Sequence, residues 1–355
     1  MQEQSIALSA ALKADFPWQQ QRLRFLAMAL IAIISTRTVN LARLAAVFAS
    51  GALPESSYKR LQRFFRGFSV SQEQILRFVT RHLPKGDGSW VLLMDRTTWK
   101  LGRCSINLLV VAVARDHVAL PIYWTCLPQD GASNTHQRIA AIDAVLKLID
   151  RRRIAWLLAD REFIGEEWFN YLIKQKIDFS IRVRQNLMAT GANARQMLLK
   201  RLFESLANGA STTLRHARTV CGCRLYLAAR RNDKGELLVV VAPQYSHHAI
   251  QQYRQRWQIE TLFGCLKTRG FDLEATHMTK PERLETLFAL LTIAVVWALQ
   301  TGLWIDENEP AKLKSHARRA VSSFRRGLDW ISSLLCNFQQ RADDFRHVVS
   351  LLSCT

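Results

Sequence analysis

Apolar residues recur every three or four positions through FLAMALIAIISTRTVNLARLAAVF (residues 25–48), the spacing that places them along one face of a helix. Asn40 stands where it can cap a helix over residues 41–48. A turn at Gly51-Ala52-Leu53-Pro54 follows, after which Ser56 or Ser57 can cap a helix carrying Tyr58, Lys59, Arg60, Arg63 and Arg66. This pattern predicts an all-helical region that ends in the polar break Pro84-Lys85-Gly86-Asp87-Gly88-Ser89. From Trp90 the texture changes to short β-rich runs at 90–94, 106–114 and 118–124, the last two joined tightly through Arg115-Asp116-His117. Helical spacing then covers 134–150, a strand 154–159 (IAWLLA), a helix 166–176 and a strand 179–183. Three strands followed by helix, strand, helix, strand is the order of an RNase H-like fold, a mixed sheet with helices on its faces.

Residues 185–250 read as a β-rich insertion: a helix at 194–206, then strands near 212–218, 224–229 and 237–242, with Asn232-Asp233-Lys234-Gly235 turning the last two into a hairpin. A helix over 253–267 comes next, and the chain reads as helical from there, first apolar and then basic with Lys312, Lys314, Arg318, Arg319, Arg325 and Arg326. The predicted organisation is therefore α/β: an all-α N-terminal domain (1–88), an RNase H-like domain (89–303) and a basic C-terminal helical region (304–355).

With 355 residues, 49% of them hydrophobic and 22% charged, the chain can bury a large core and lacks the composition of a disordered protein. Its 49 Lys and Arg against 29 acids give a formal charge of +20, which suits a polyphosphate partner and puts nucleic acid first. The apolar runs at 25–34 and 287–299 fall short of the ~18 residues a membrane span needs, so both are expected as buried helices and no membrane partner is expected. Seven scattered cysteines, with only Cys221 and Cys223 close together, read as reduced thiols in a cytoplasm rather than as a zinc site.

Two apolar strands end alike, WVLLMDR at 90–96 and IAWLLADR at 154–161, each followed by an aspartate, Asp95 and Asp160. In sheets of this kind ligands sit beyond strand ends. For either residue alone a strand-end cap, or an ion pair with the adjoining Arg96 or Arg161, explains the pattern equally. Glu260 changes the balance. Three carboxylates without a His or Cys cluster favour hard cations, Mg²⁺ with Mn²⁺ as substitute, and a pair of such ions roughly 3.5–4 Å apart serves phosphodiester chemistry. Glu162 is a rival to Asp160 as ligand.

In YRQRWQIETLFGCLK (253–267), Tyr253, Arg256, Glu260 and Lys267 project into one sector roughly 60° wide on a regular helix. Arg256 and Lys267 would hold phosphates beside Glu260, Tyr253 offers a hydroxyl, and Gly264 leaves room for close approach or is simply tolerated. In the N-terminal region, a helix, a turn and a basic helix with Lys59, Arg60 and Arg63 form a DNA-reading arrangement, or equally a bundle with a solvated basic face.

On these residues the sequence resembles the bacterial DDE transposases of the insertion-sequence-4 family, whose Y-x2-R-x3-E-x6-K pattern Tyr253, Arg256, Glu260 and Lys267 match without an altered gap. MDRTTWK (94–100) is similar to the family's first Asp block and LADREF (158–163) to its second, so the resemblance covers about residues 90–300. It implies a cut-and-paste transposase with Asp95, Asp160 and Glu260 as catalytic metal ligands for two Mg²⁺ per active site. It also implies DNA partners, both terminal inverted repeats and target, with a homodimer in the synaptic complex. An end-binding role for residues 1–88 and a cytoplasmic, nucleoid-associated location follow from the same resemblance. Relatives carry a tryptophan in the insertion to hold a flipped base, whereas here none occurs between Trp168 and Trp257; Tyr226 and Tyr245 are the stacking candidates in its place. A nuclease that cuts without joining, and a DNA-binding repressor descended from a transposase, are the competing readings.

Overall fold

The computed structural model describes residues 2–48, 53–83, 89–310 and 319–353. Five helices come first: α1 (Gln2–Leu12), α2 (Gln20–Thr36), α3 (Leu41–Val47), α4 (Pro54–Gly67) and α5 (Gln72–Arg81). Asn40 caps α3 as its position predicts, its side chain accepting from the backbone N–H groups of Ala42 (3.0 Å) and Arg43 (3.3 Å). The next helix begins earlier than Ser56 or Ser57. It starts at Pro54, a residue that suits the first turn because its missing N–H would have had no helical partner there. Gly51 and Ala52 of the expected turn, and residues 84–88 of the expected break, lie outside the described residues.

The centre of the molecule is a mixed sheet. Its first strands are β1 (Trp90–Leu101), β2 (Cys104–Arg115) and β3 (Val118–Cys126), followed by α6 (Thr135–Leu146), β4 (Ile154–Ala159), α7 (Glu166–Lys174) and β5 (Phe179–Val183). These strands lie side by side in the order 3-2-1-4-5; β2 runs antiparallel to both β1 and β3, while β4 runs parallel to both β1 and β5. That is the RNase H-like arrangement. Asp116 and His117 both take positive φ (46° and 70°), the backbone of a two-residue hairpin turn whose twist matches the strands it joins. β2 is buried on both faces along most of its length, which explains its unbroken apolar run.

The insertion extends the same sheet to eleven strands. It contains β6 (Met188–Thr190), β7 (Gln196–Leu198), a single helical turn α8 (Leu199–Leu202), β8 (Ser211–Thr213), β9 (Arg218–Val220), β10 (Cys223–Arg231) and β11 (Leu237–Ala242), with β11 antiparallel to β5. Two expectations fail here. The helix over 194–206 shrinks to α8, because Gln196, Met197 and Leu198 pair with β6 instead. The strand over 212–218 splits into β8 and β9, each pairing with a different part of β10. The hairpin at Asn232–Gly235 is present, closed by Asn232 N–H to Glu236 O (3.0 Å) with Gly235 at φ 82°.

After the insertion come α9 (Ala249–Tyr253), a 3₁₀ turn (Arg254–Arg256) and α10 (Trp257–Leu266), so the expected single helix over 253–267 is broken. The 28-residue α11 (Pro281–Asn308) then runs without interruption across position 303, followed by α12 (Ser323–Cys336) and α13 (Ala342–Ser350). By length and composition α11 could cross a membrane, yet 83% of its most apolar window is buried inside the protein, against α2, α5, α12, α13 and β3. Two glycines bring α11 and α12 together: a Cβ on Gly302 would lie 1.8 Å from Ser323 O, and one on Gly327 1.8 Å from Ala298 O. Lys312, Lys314 and Arg318 lie outside the described residues. Arg319 and Arg326 are held by the nearly buried Asp306, and Arg325 pairs with Asp329 (2.9 Å), so these three basic residues are engaged within the protein.

Candidate active site

Asp95 does not follow the end of its strand. β1 continues to Leu101 because β2 continues beside it, and Asp95 pairs there with Val110. What ends is the other neighbour: β4 stops at Ala159, opposite Met94, and Asp160 is the next residue. The two aspartates therefore emerge together at the C-terminal edge of β4, the geometric substance of the repeated apolar-run-then-Asp pattern. Asp95 is largely buried and accepts a hydrogen bond from the Arg96 N–H (2.8 Å). Burial pushes its carboxyl up to about 6, against the opposing pull of Arg256. Asp160 keeps one buried oxygen, Oδ1, that accepts no hydrogen bond; the Arg182 guanidinium of β5 stands 3.7 Å from it.

Glu260 sits in the first turn of α10 and is joined to Asp95 through Arg256. Arg256 Nη1 donates to Asp95 Oδ2 at 3.1 Å while Nη2 donates to Glu260 Oε1, so one guanidinium bridges both carboxylates. The 3₁₀ turn that breaks the expected helix delivers Arg256 inward, leaving it only 6% exposed. Tyr253 is also buried, its ring 5.8 Å from the Arg256 guanidinium and its phenol pushed up by desolvation. Arg256 therefore stands beside Glu260, and Tyr253 packs with Ala228, Val240 and Ile250 while its hydroxyl makes no hydrogen bond among the described residues.

Glu162, the rival to Asp160, is engaged elsewhere. It accepts both arms of Arg96 (2.6 and 2.7 Å), and Arg96 also donates to the buried Asn107 (2.8 Å). Asn107 in turn donates to Gln129 O and Gly131 O. Buried Arg138 of α6 donates to the carbonyls of Ser133, Glu162 and Ile164 and so ties the segment after Asp160 to that helix. Sequence reasoning missed this supporting layer and Arg182. Arg96 carried a hint, since it adjoins Asp95, but its partner lies 66 residues away.

Among the described residues no three acidic, His or Cys side chains gather closely enough to hold a metal ion. The donor set nonetheless fits a hard divalent cation. It is all oxygen, one Asp160 oxygen has no hydrogen-bond donor, and a positive guanidinium bridges the other two carboxylates.

The remaining predicted residues lie around this centre or apart from it. Lys267 closes α10, pairs with Glu274 (2.8 Å) and donates to Thr98 O on β1 (2.9 Å). The room beside Gly264 is taken by the guanidinium of Arg269, which a Cβ would meet at 2.0 Å. In the insertion Tyr226 and Tyr245 contact one another edge-on (5.7 Å), and Tyr245 continues onto His247 (4.8 Å). Lys59 and Arg63 are exposed on α4, while Arg60 lies over the Phe25 ring at 5.7 Å.

Residues 86–297 match the family of the transposase DDE domain. The match spans more than half of the chain, and the chain belongs to that family. It is thereby an enzyme of DNA transposition, from a family that acts on DNA and generally uses divalent metal ions. No curated protein matches the chain significantly. Among solved structures it is similar to a piggyBac transposase synaptic complex with hairpin DNA seen by cryo-EM, with a TM-score of 0.43 and 11% sequence identity, over 92% of this chain and 76% of that one.

Proposed function

We propose that this DDE enzyme is a cut-and-paste transposase of the insertion-sequence-4 type that binds terminal inverted repeats as a homodimer. Asp95, Asp160 and Glu260 are its metal ligands, with Mg²⁺ (Mn²⁺ substituting) as cofactor, two ions per site. When bound, such ions lower the pKa of a nucleophilic oxygen and stabilise charge on the leaving oxygen. The chain's own residues supply the rest. In the first step water attacks phosphorus at the element's end, the P–O3′ bond breaks and a 3′-hydroxyl is released. In the second step that hydroxyl attacks a target phosphodiester and expels another 3′-oxygen, so bonds are exchanged one for one and no external energy source is needed. Arg256, once the carboxylates hold cations, is free to turn its fork onto a phosphate; Lys267 beside β1 offers a second positive charge. Helix α4, with Lys59, Arg60 and Arg63, belongs to the end-binding region 1–88. Tyr226 and Tyr245 are the stacking surface for an unpaired base, in the absence of an insertion tryptophan.

One observation carries this reading: Arg256 and Glu260 of the Y-x2-R-x3-E-x6-K pattern are locked to Asp95, the aspartate that emerges beside Asp160. The experiment is incubation of the purified protein with Mg²⁺ and DNA carrying the element's ends. Wild type is expected to cleave at the ends and join them to target DNA. Asp95→Ala is expected to bind the same DNA and leave it intact. Cleavage surviving in the variant refutes the site, and cleavage without joining by wild type assigns a nuclease instead.

A further inference from the structure

Between α4 and the segment entering α11 lies a cleft of about 570 Å³ whose walls include Tyr58, Gln62, His277, Lys280 and Arg283. A second hollow of about 410 Å³ shares Lys280 and Arg283 and adds Arg66. The two form a continuous concave surface with cations on both sides. On α4, Lys59, Arg63 and Arg66 are exposed at positions i, i+4 and i+7, one stripe of the helix. Of these, Arg66 lines the hollow together with Lys280 and Arg283 at the start of α11.

The cations at the cleft are unpartnered. Among the described residues neither Arg66, Lys280 nor Arg283 forms an ion pair within 4.0 Å. Arg77, Arg201, Arg325, Arg341 and Arg346 each meet an acid three or four residues away, a local neutralisation that the cleft cations lack. The single carboxylate lining the cleft is Glu282. Like charges crowded into a concave surface repel one another and concentrate an incoming polyanion. Tyr58 and Gln62 add uncharged hydrogen-bonding groups suited to phosphate oxygens.

We propose that this cleft seats the sugar-phosphate backbone of duplex DNA, with phosphates spanning from α4 to Lys280 and Arg283. The DNA surface then continues from the N-terminal helices onto the helix that follows Glu260. The inference rests on the transposase reading for its partner, yet it assigns residues outside both the Y-x2-R-x3-E-x6-K pattern and the predicted basic helix. Because α11 is buried along most of its length, DNA held at its first turn is held against the core that also supports β3.

The test uses the full-length protein with the double variant Lys280→Ala/Arg283→Ala and the control Arg201→Ala/Arg346→Ala, which removes two paired arginines from elsewhere. Fluorescence anisotropy follows binding to a labelled duplex of the element's end as salt rises from about 50 to 200 mM. Each lost phosphate contact lowers the log–log slope by about 0.9, so the cleft variant is expected to lose close to two and to bind roughly ten-fold more weakly at the middle of the range. The control is expected to keep the wild-type slope, and the single variants Lys280→Gln and Arg283→Gln each to lose about half as much as the double. An unchanged slope in the cleft variant, an equal loss in the control, or a loss seen with duplex RNA and not with duplex DNA overturns the proposal. Wild-type end cleavage that persists alongside an unchanged slope overturns the cleft alone; failure of wild type to cleave or bind DNA overturns the transposase reading as well.

Discussion

Arg256 places one guanidinium between two carboxylates in a largely buried setting. Removing one partner of such a cluster leaves uncompensated charge, which costs more than the cluster contributes when complete. Arg256→Ala is therefore expected to lower the stability of the metal-free protein by about 3 kcal/mol near neutral pH. The sign of the pH dependence follows from Asp95: its folded pKa, about 6, lies above the unfolded value, so the fold favours the protonated acid and this group's penalty fades as pH falls through 6. The variant's deficit should shrink accordingly in acid. Mg²⁺ should raise its melting temperature more than that of wild type, because the competing guanidinium is gone. Denaturant titrations and melting curves with EDTA or Mg²⁺ at two pH values check both statements; a Mg²⁺ response no larger than that of wild type refutes the competition. At this scale the four spaced residues were legible in the sequence, whereas the inward direction of Tyr253 and Arg256 was not. A helical wheel assumes a regular 3.6-residue period, and one 3₁₀ turn at Arg254–Arg256 is enough to redirect what precedes it.

At the scale of elements, the α11–α12 crossing depends on residues that lack a side chain. An alanine Cβ at position 327 would lie 1.8 Å from Ala298 O, backbone that cannot rotate away, so the helices would have to separate. Gly327→Ala should destabilise by about 2 kcal/mol or more, the range of overpacked cores. Gly67→Ala is the matched control, since nothing lies within 4 Å of the added carbon, and it should be neutral or slightly stabilising. Equal midpoints for the two variants in urea would remove the close-packing argument. Strands 154–159 and 179–183 stand where their apolar runs predict, as does the cap at Asn40, because burial and capping are local consequences of residue type. The helix over 194–206 was misread for a complementary reason: its periodicity is real, yet pairing of 196–198 with β6 supplies ladder hydrogen bonds that local propensity cannot anticipate.

For the molecule as a whole, α11 is the element that the N-terminal helices, the sheet and the C-terminal helices have in common, within one continuous apolar core. Leu291 is fully buried within it. Leu291→Ala should cost about 3 kcal/mol, and helical and tryptophan signals should still fall in one transition; two separated transitions would show that the N-terminal helices melt independently of the sheet. The amino-acid sequence alone determined the order of the elements, the basic character and the presence of Asp95, Asp160 and Glu260, since hydrophobic period, charge and spacing are properties of the chain read in line. Tertiary structure decided which cations neutralise those acids, which leave the cleft at α4 and α11 unpaired, and how far β1 runs past β4. Apart from the neighbouring Arg256 and Glu260, these depend on contacts between residues tens to hundreds of positions apart, and no local pattern encodes the distance at which two such side chains will meet.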